Sequence, residues 1–210
     1  MEKEAIKGKF ITFEGSEGCG KSTQSKLLAE YLKKKGCRIV YLREPGGTKI
    51  SEKIRDILLD TKNKKILPVC ETLLYMAARA QLVDEVILPA LKQGKVVICD
   101  RFLDSTIAYQ GYGLGIDIQA IKYIGKFANS GIKPGLTIFL DLEVKKGLEY
   151  RRGVKDRIEK RPLDYHYRVR KGYFALAKQE PRRVKIVRLQ EDKNKTQFEI
   201  RKLVECHLKI

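Results

Sequence analysis

The run Gly15-Ser16-Glu17-Gly18-Cys19-Gly20-Lys21-Ser22 constrains this chain more than any other. It satisfies G-x-x-x-x-G-K-[ST] at every fixed position, and its flanks are those the pattern needs. Lys9-Phe10-Ile11-Thr12-Phe13-Glu14 before it is a β-branched and aromatic run ending at glycine, the mark of a buried strand. Lys21 to Lys35 after it carries Leu27, Leu28, Tyr31 and Leu32 at helical spacing, with Gly36 to close the helix. Strand, glycine loop and helix N-terminus in that order turn backbone N–H groups inward around an anion. The expected nucleoside triphosphate site therefore spans Gly15, Ser16, Glu17, Gly18, Cys19, Gly20, Lys21, Ser22 and Thr23. Lys21 would reach the β- and γ-phosphate oxygens, and the Ser22 hydroxyl is a ligand for Mg²⁺.

The alternation continues. Strands are expected at 38–43, 96–99, 136–140 and 184–187, and helices at 50–59, 69–93, 103–111, 116–129, 143–150, 163–179 and from about 196. Pro89 lies inside the long helix and predicts a kink or an early break. Strand alternating with helix five times points to an α/β fold: a five-stranded parallel sheet with helices on both faces. No Gly-, Ser- or Pro-rich linker divides residues 1–210, so one domain is expected, with a small charge-dense segment at about 151–161.

Composition excludes other classes. Hydrophobic residues are 43% and charged residues 33%, enough for a core under a charged surface and against a disordered chain. The apolar stretches around Val96–Cys99 and Thr137–Leu140 are about six residues long, against roughly 20 for a bilayer span. The N-terminus Met1-Glu2-Lys3-Glu4 is charged, without the apolar run of a secretory signal. Five scattered cysteines without a C-x-x-C pair, and two histidines, speak for free thiols in a reducing cytoplasm and against structural zinc. The formal net charge of +18 favours polyanionic partners without choosing among them. A nucleic-acid-binding ATPase would show a basic face interleaved with aromatics, whereas the lysines are dispersed and Trp is absent.

The phosphate loop alone leaves GTPase switches, motors, repair ATPases and small-molecule kinases open. Asp100-Arg101 directly follows the third strand, at the edge where parallel strands converge on a ligand crevice. Asp100 there can hold Mg²⁺ directly or through water, and Arg101 offers a planar fork for a second phosphate. The alternative is an Asp that caps the next helix with the Arg paired to some carboxylate. Arg43 ends the second strand at an equivalent edge. Tyr75 and Arg79 lie four apart on one helix face, suited to stacking on a planar base and bonding its carbonyl, or to a core ring and a surface charge.

Five blocks in order resemble the bacterial thymidylate kinases over about residues 9–180. They are the phosphate loop with Glu17, Arg43-Glu44-Pro45-Gly46-Gly47-Thr48, Ala77-Ala78-Arg79-Ala80-Gln81, Asp100-Arg101-Phe102 with Ser105 to Gly111, and Asp156-Arg157-Ile158-Glu159. The resemblance implies a P-loop nucleotide kinase that moves a phosphoryl group from ATP to dTMP with Mg²⁺, in a cytoplasmic homodimer with no nucleic-acid or membrane partner. It implies that Arg43 and Arg101 bind the dTMP phosphate, Tyr75 stacks on thymine in place of the usual Phe, and Arg79 bonds the base. Glu17 falls near the 3′-hydroxyl, and Ser105, Thr106, Tyr109 and Gln110 beside sugar and base. Arg151, Arg152 and Arg157 fall in a lid over ATP, Arg152 and Arg157 joining Lys21, Asp100 and Arg101 in catalysis. The chain departs from the family pattern at Lys133-Pro134-Gly135 and at Arg188-Leu189-Gln190, where adenine contacts would lie.

Overall fold

The computed structural model describes residues 6–150 and 155–210. Its strands are β1 (Lys9–Glu14), β2 (Ile39–Arg43), β3 (Val96–Asp100), β4 (Leu136–Asp141) and β5 (Val184–Arg188). All neighbours are parallel, in the order β2-β3-β1-β4-β5. The first strand is central, the chain runs to one edge and back through β3, then crosses β1 to β4. That reversal opens a crevice at the carboxyl ends beside β1, where the phosphate loop leaves.

Side chains alternate across the sheet with period two. Ile11, Phe13, Ile98, Ile138 and Leu140 face α1 (Lys21–Lys34) and α9 (Lys193–Leu208), meeting Leu28, Leu32, Ile200 and Val204. Phe10, Val97 and Cys99 face the other way. They pack under α3 (Pro68–Leu82) and α4 (Leu88–Lys92), against Leu82 and Leu91. Phe139 of β4 stacks on Tyr173 of α8 (Leu163–Gln179), ring centroids 5.0 Å apart. Burial on both faces is why these strands read as continuous apolar runs.

Two helices depart from the expected geometry. The long helix expected over 69–93 ends as α3 at Leu82, widens into a π turn over Val83–Ile87, and resumes as α4. The Leu88 N–H donates to the Val83 carbonyl, which accommodates the proline one residue on without its missing donor breaking the rod. The helix expected over 103–111 is one α turn, α5 (Leu103–Thr106), continued by a π segment over Ile107–Gly113 whose residues 107–111 are all buried. The remaining helices are α2 (Lys49–Leu59), α6 (Ile118–Ala128) and α7 (Val144–Tyr150). The last helix begins at Lys193, earlier than its apolar spacing indicates, because the Asp192 side chain caps the Asn194 N–H.

A buried ionic network ties α5 to the sheet. Arg183, at the entry of β5, donates from Nη1 and Nη2 to the two Asp104 oxygens at 2.6 and 3.0 Å. It also donates to Thr137 Oγ1 at 2.7 Å and, through Nε, to Glu180 at 2.9 Å. Removing Arg183 strands the Asp104 charge, and breaking a buried pair from one side costs about 3–5 kcal/mol. Arg183→Ala should lose stability of that order at neutral pH in chemical denaturation.

Candidate active site

The phosphate loop is built on backbone. Gly18 and Gly20 take φ of 69° and 76°, conformations that side-chain-bearing residues rarely adopt. A Cβ at Gly18 would also lie 1.8 Å from the Gly147 carbonyl oxygen of α7, so helix and loop touch main chain to main chain. Lys21 is buried, its Nζ donating to the Ser16 carbonyl at 2.6 Å inside the loop. Cys19 turns its side chain down into the core beside Ile11 and Leu28, where its Sγ accepts from Lys21 Nζ at 3.5 Å. The Ser16 hydroxyl is buried without a hydrogen-bond partner among the described residues, as suits a donor reserved for an anion.

The expected metal ligands meet. Ser22 Oγ donates to Asp100 Oδ2 at 2.5 Å across the gap between α1 and the end of β3. Two hard oxygen donors beside a triphosphate loop suit Mg²⁺, which keeps most of its waters and takes one or two protein oxygens.

A cleft of about 490 Å³ opens from this loop and is lined by Lys21, Arg43, Arg55, Tyr75, Arg79 and Arg101 among others. Arg101 holds its place at a backbone φ of 74°. Its N–H is fixed by the Phe13 carbonyl at 2.9 Å, and the strained turn aims the guanidinium back over the loop. There Nη2 donates to Glu17 Oε1 at 2.8 Å and Nη1 to the Gly15 carbonyl and Ser105 Oγ, both at 3.2 Å. Tyr109 donates to the same Glu17 oxygen at 2.7 Å, and the Arg101 guanidinium lies 4.9 Å over the Tyr109 ring. Burial pushes the Glu17 carboxyl up, but Arg101, Lys21 and the Tyr109 hydroxyl outweigh it and hold it at about 2. Beneath them Glu14 accepts from the Phe102 N–H at 2.7 Å and from Ser105 Oγ at 2.5 Å.

Arg43 stands at the mouth of the cleft, bonded through Nη2 to both oxygens of Glu52 at 3.2 and 2.9 Å. Arg55 reaches in from α2, its Nη1 on the Pro45 carbonyl at 2.9 Å. Burial and then the neighbouring Arg43 charge pull its pKa down. Sequence reasoning missed Arg55, which reads there as one more charge on an amphipathic helix.

At the far end Arg79 is 2% exposed. Its Nε donates to Glu44 Oε2 at 2.8 Å and its Nη2 to Thr106 Oγ1 at 3.0 Å, while its guanidinium lies 5.2 Å over the Phe102 ring. Burial drives the Glu44 carboxyl up to about 7 even with Arg79 pulling it down. Tyr75, Ser105, Thr106, Tyr109 and Gln110 all line this end, so the expected acceptor residues converge. Arg157 stands elsewhere than over the phosphates. Its Nε donates to the Leu58 carbonyl at 2.8 Å and its Nη2 lies 2.6 Å from Glu71 Oε2, behind the acceptor pocket. Arg151 and Arg152 lie outside the described residues. Glu71, fully buried on α3, was also missed, since a glutamate in the first turn of a helix after Pro68 reads as a dipole partner.

The sequence model of the family described as thymidylate kinase matches residues 13–200. A thymidylate kinase of Thermoanaerobacter sp. (strain X514) is 53% identical over 180 residues, 85% of this chain and 88% of that protein. One from Pelotomaculum thermopropionicum is 51% identical over 185 residues, 87% and 86% of the two chains. The crystal structure of thymidylate kinase from Ehrlichia chaffeensis superposes with a TM-score of 0.78 at 35% identity, covering 94% of this chain and 98% of that one. With the loop, the arginine cluster and the base-sized pocket in one cleft, and with these relatives, the chain belongs to the thymidylate kinase family.

Proposed function

We infer that this chain transfers the γ-phosphoryl group of ATP to dTMP, giving dTDP and ADP, with Mg²⁺ as cofactor. The observation that carries this reading is the single cleft in which Lys21 of the phosphate loop faces Arg43, Arg55 and Arg101, with Tyr75 and Arg79 beyond them. The acceptor supplies its own nucleophile, because a phosphate monoester is largely dianionic at neutral pH, its second pKa being about 6. No general base is required. What must be overcome is the approach of two polyanions and the charge that builds on the transferring group. Lys21 and the loop N–H groups take the donor phosphates, and Arg43, Arg55 and Arg101 take the acceptor phosphate. Positioning of this kind is worth up to roughly 7–11 kcal/mol. Mg²⁺, held by Ser22 and Asp100, would supply charge neutralisation on the donor oxygens.

On the acceptor, Tyr75 stacks on the thymine and Arg79 donates to a ring carbonyl. Glu17 and Tyr109, locked together, stand beside the sugar. A single kinase domain spanning 1–210 belongs to this reading, with a small lid segment at about 151–161 whose Arg157 and Arg161 are held against Glu71 in this structure. Five free thiols support a reducing, cytoplasmic setting. No helix of the described residues is long and apolar enough to cross a membrane.

Assembly as a homodimer completes the reading. It is supported by an apolar face on neighbouring helices: Leu67 at 70% exposure before α3, and Tyr123 and Phe127 at 81% and 86% on α6. Exposed aromatics one helical turn apart, beside further exposed Val69 and Leu73, are the self-complementary kind of surface that a two-fold axis covers. Phe127→Asp should therefore sediment as a monomer in analytical ultracentrifugation where the parent protein is a dimer, with the thermal midpoint of the single chain little changed.

In a coupled assay the protein should convert dTMP with ATP and Mg²⁺ and stop on chelation by EDTA. Lys21→Ala should lose on the order of 10²-fold or more in kcat, because a charge contact on the transferring group disappears. Wild-type turnover in that variant would remove the phosphate-loop assignment. Arg79→Lys keeps a cation against buried Glu44 but not the planar fork. It should raise KM for dTMP by about tenfold or more, the 1.4 kcal/mol scale of a lost hydrogen bond to a charged group, and leave KM for ATP nearly unchanged. Equal changes in both constants would return Arg79 to a structural role.

A further inference from the structure

Glu71, Tyr75 and Arg79 are spaced four apart along α3 and so rise on one face of it. Opposite runs the segment that carries Thr106 and Gln110, again four apart. Two rungs join them: Arg79 Nη2 to Thr106 Oγ1 at 3.0 Å, and Gln110 Nε2 to Glu71 Oε1 at 2.9 Å. Tyr75, Arg79, Thr106 and Gln110 all line the cleft.

The second rung has a fixed polarity. Glu71 is fully buried, and its other oxygen faces two guanidiniums, Arg161 Nη2 at 2.6 Å by hydrogen bond and Arg157 Nη2 at 2.6 Å as an ion pair. Arg161 is held in turn by the Tyr165 hydroxyl at 2.7 Å. A carboxylate so placed only accepts, so Gln110 must present its NH₂ to it. The Gln110 carbonyl is thereby turned the other way, and no donor among the described residues is bonded to it.

We propose that Glu71 is a positioning residue that sets base selectivity by locking the Gln110 amide with its carbonyl toward the base. This rests on the dTMP reading above. An acceptor from Gln110 beside a donor from Arg79 matches a pyrimidine edge that offers an N3–H next to a 4-carbonyl, as thymine and uracil do. Cytosine offers the reverse, a bare N3 beside an amino group. Its lone pair would meet the Gln110 carbonyl and its amino group the Arg79 guanidinium. A site built to bond a substrate N–H rejects analogues that lack it far more strongly than a hydrophobic pocket rejects a missing methyl group.

The test is kcat/KM for dTMP, dUMP and dCMP in the full-length protein, with thermal melts alongside. Glu71→Gln keeps the shape but lets either end of its amide face Gln110, so the Gln110 amide can turn over. Glu71→Asp keeps the charge between Arg157 and Arg161, protecting the fold, but withdraws the carboxylate from Gln110 by one carbon. In each variant the dTMP-to-dCMP ratio should fall by about tenfold or more. The dTMP-to-dUMP ratio should hold, since both bases share the edge, and KM for ATP should stay within about twofold. An unchanged dTMP-to-dCMP ratio in either folded variant overturns the proposal, as does an equal loss on all three monophosphates. Failure of the parent protein to phosphorylate dTMP would instead overturn the reading on which the proposal rests.

Discussion

The contact of Arg101 with Glu17, 2.8 Å long, joins the two halves of the cleft. Glu17 belongs to the phosphate loop and Arg101 to the end of β3, so one ion pair fixes the donor side against the acceptor side. Its geometry depends on a non-glycine residue held at a φ of 74°, a conformation the strand end and the Phe13 carbonyl impose. The charge state is as firmly set. With its carboxyl held at about 2, Glu17 stays ionised throughout the neutral range. A folded-state value below the ordinary carboxylate range stabilises the fold at pH above about 4.5 and loses that contribution as pH falls through about 2.

The same device recurs around the cleft. Arg79 is set against Glu44, Arg43 against Glu52, and Arg157 and Arg161 against Glu71. The buried pairs among these are not there chiefly for stability, since desolvating two charges offsets most of their attraction. The Glu44 carboxyl, driven up to about 7 by burial, records that cost directly. Their effect is to hold long, entropically free side chains in one place before substrate arrives. An excess of 18 positive charges leaves the arginines that face the cleft attractive to polyanions even after these carboxylates are counted.

Much of this was legible in the residues. The loop announces itself because its glycines, lysine and serine sit between a β-branched run and an apolar helical period, each signal independent of the others. Strands β1, β3 and β4 follow from near-continuous apolar runs that a doubly covered sheet produces. Tyr75 and Arg79 were harder: spacing alone puts them on one helix face but cannot say whether that face looks at a ligand or a neighbour. Arg55 and Glu71 were invisible for the complementary reason. Each is a charge on an amphipathic helix, and its inward aim comes from how α2 and α3 cross the sheet. The π segment over Ile107–Gly113 has no period of its own, and Arg157 was assigned by its block whereas its partners, Leu58 and Glu71, lie far away in the chain.

The division between backbone and side chain explains why the two halves of the cleft differ in what they disclose. On the proposed reading, the donor phosphates are met by main-chain N–H groups, a lysine and a hydroxyl, and that arrangement serves any nucleoside triphosphate. Leu189, in the Arg188-Leu189-Gln190 turn after β5, and the Cys19 sulfur back this loop, the first beside Gly20 and the second under Lys21. On that reading, acceptor recognition is instead written in side chains that face each other across α3 and the Thr106–Gln110 stretch, Arg79 fixed by buried Glu44 and Gln110 by buried Glu71. Changing the acceptor therefore requires changing groups that are buried and mutually bonded, whereas the loop can stay as it is. On the proposed reading, selectivity resides in the layer behind the cleft wall as much as in the wall itself.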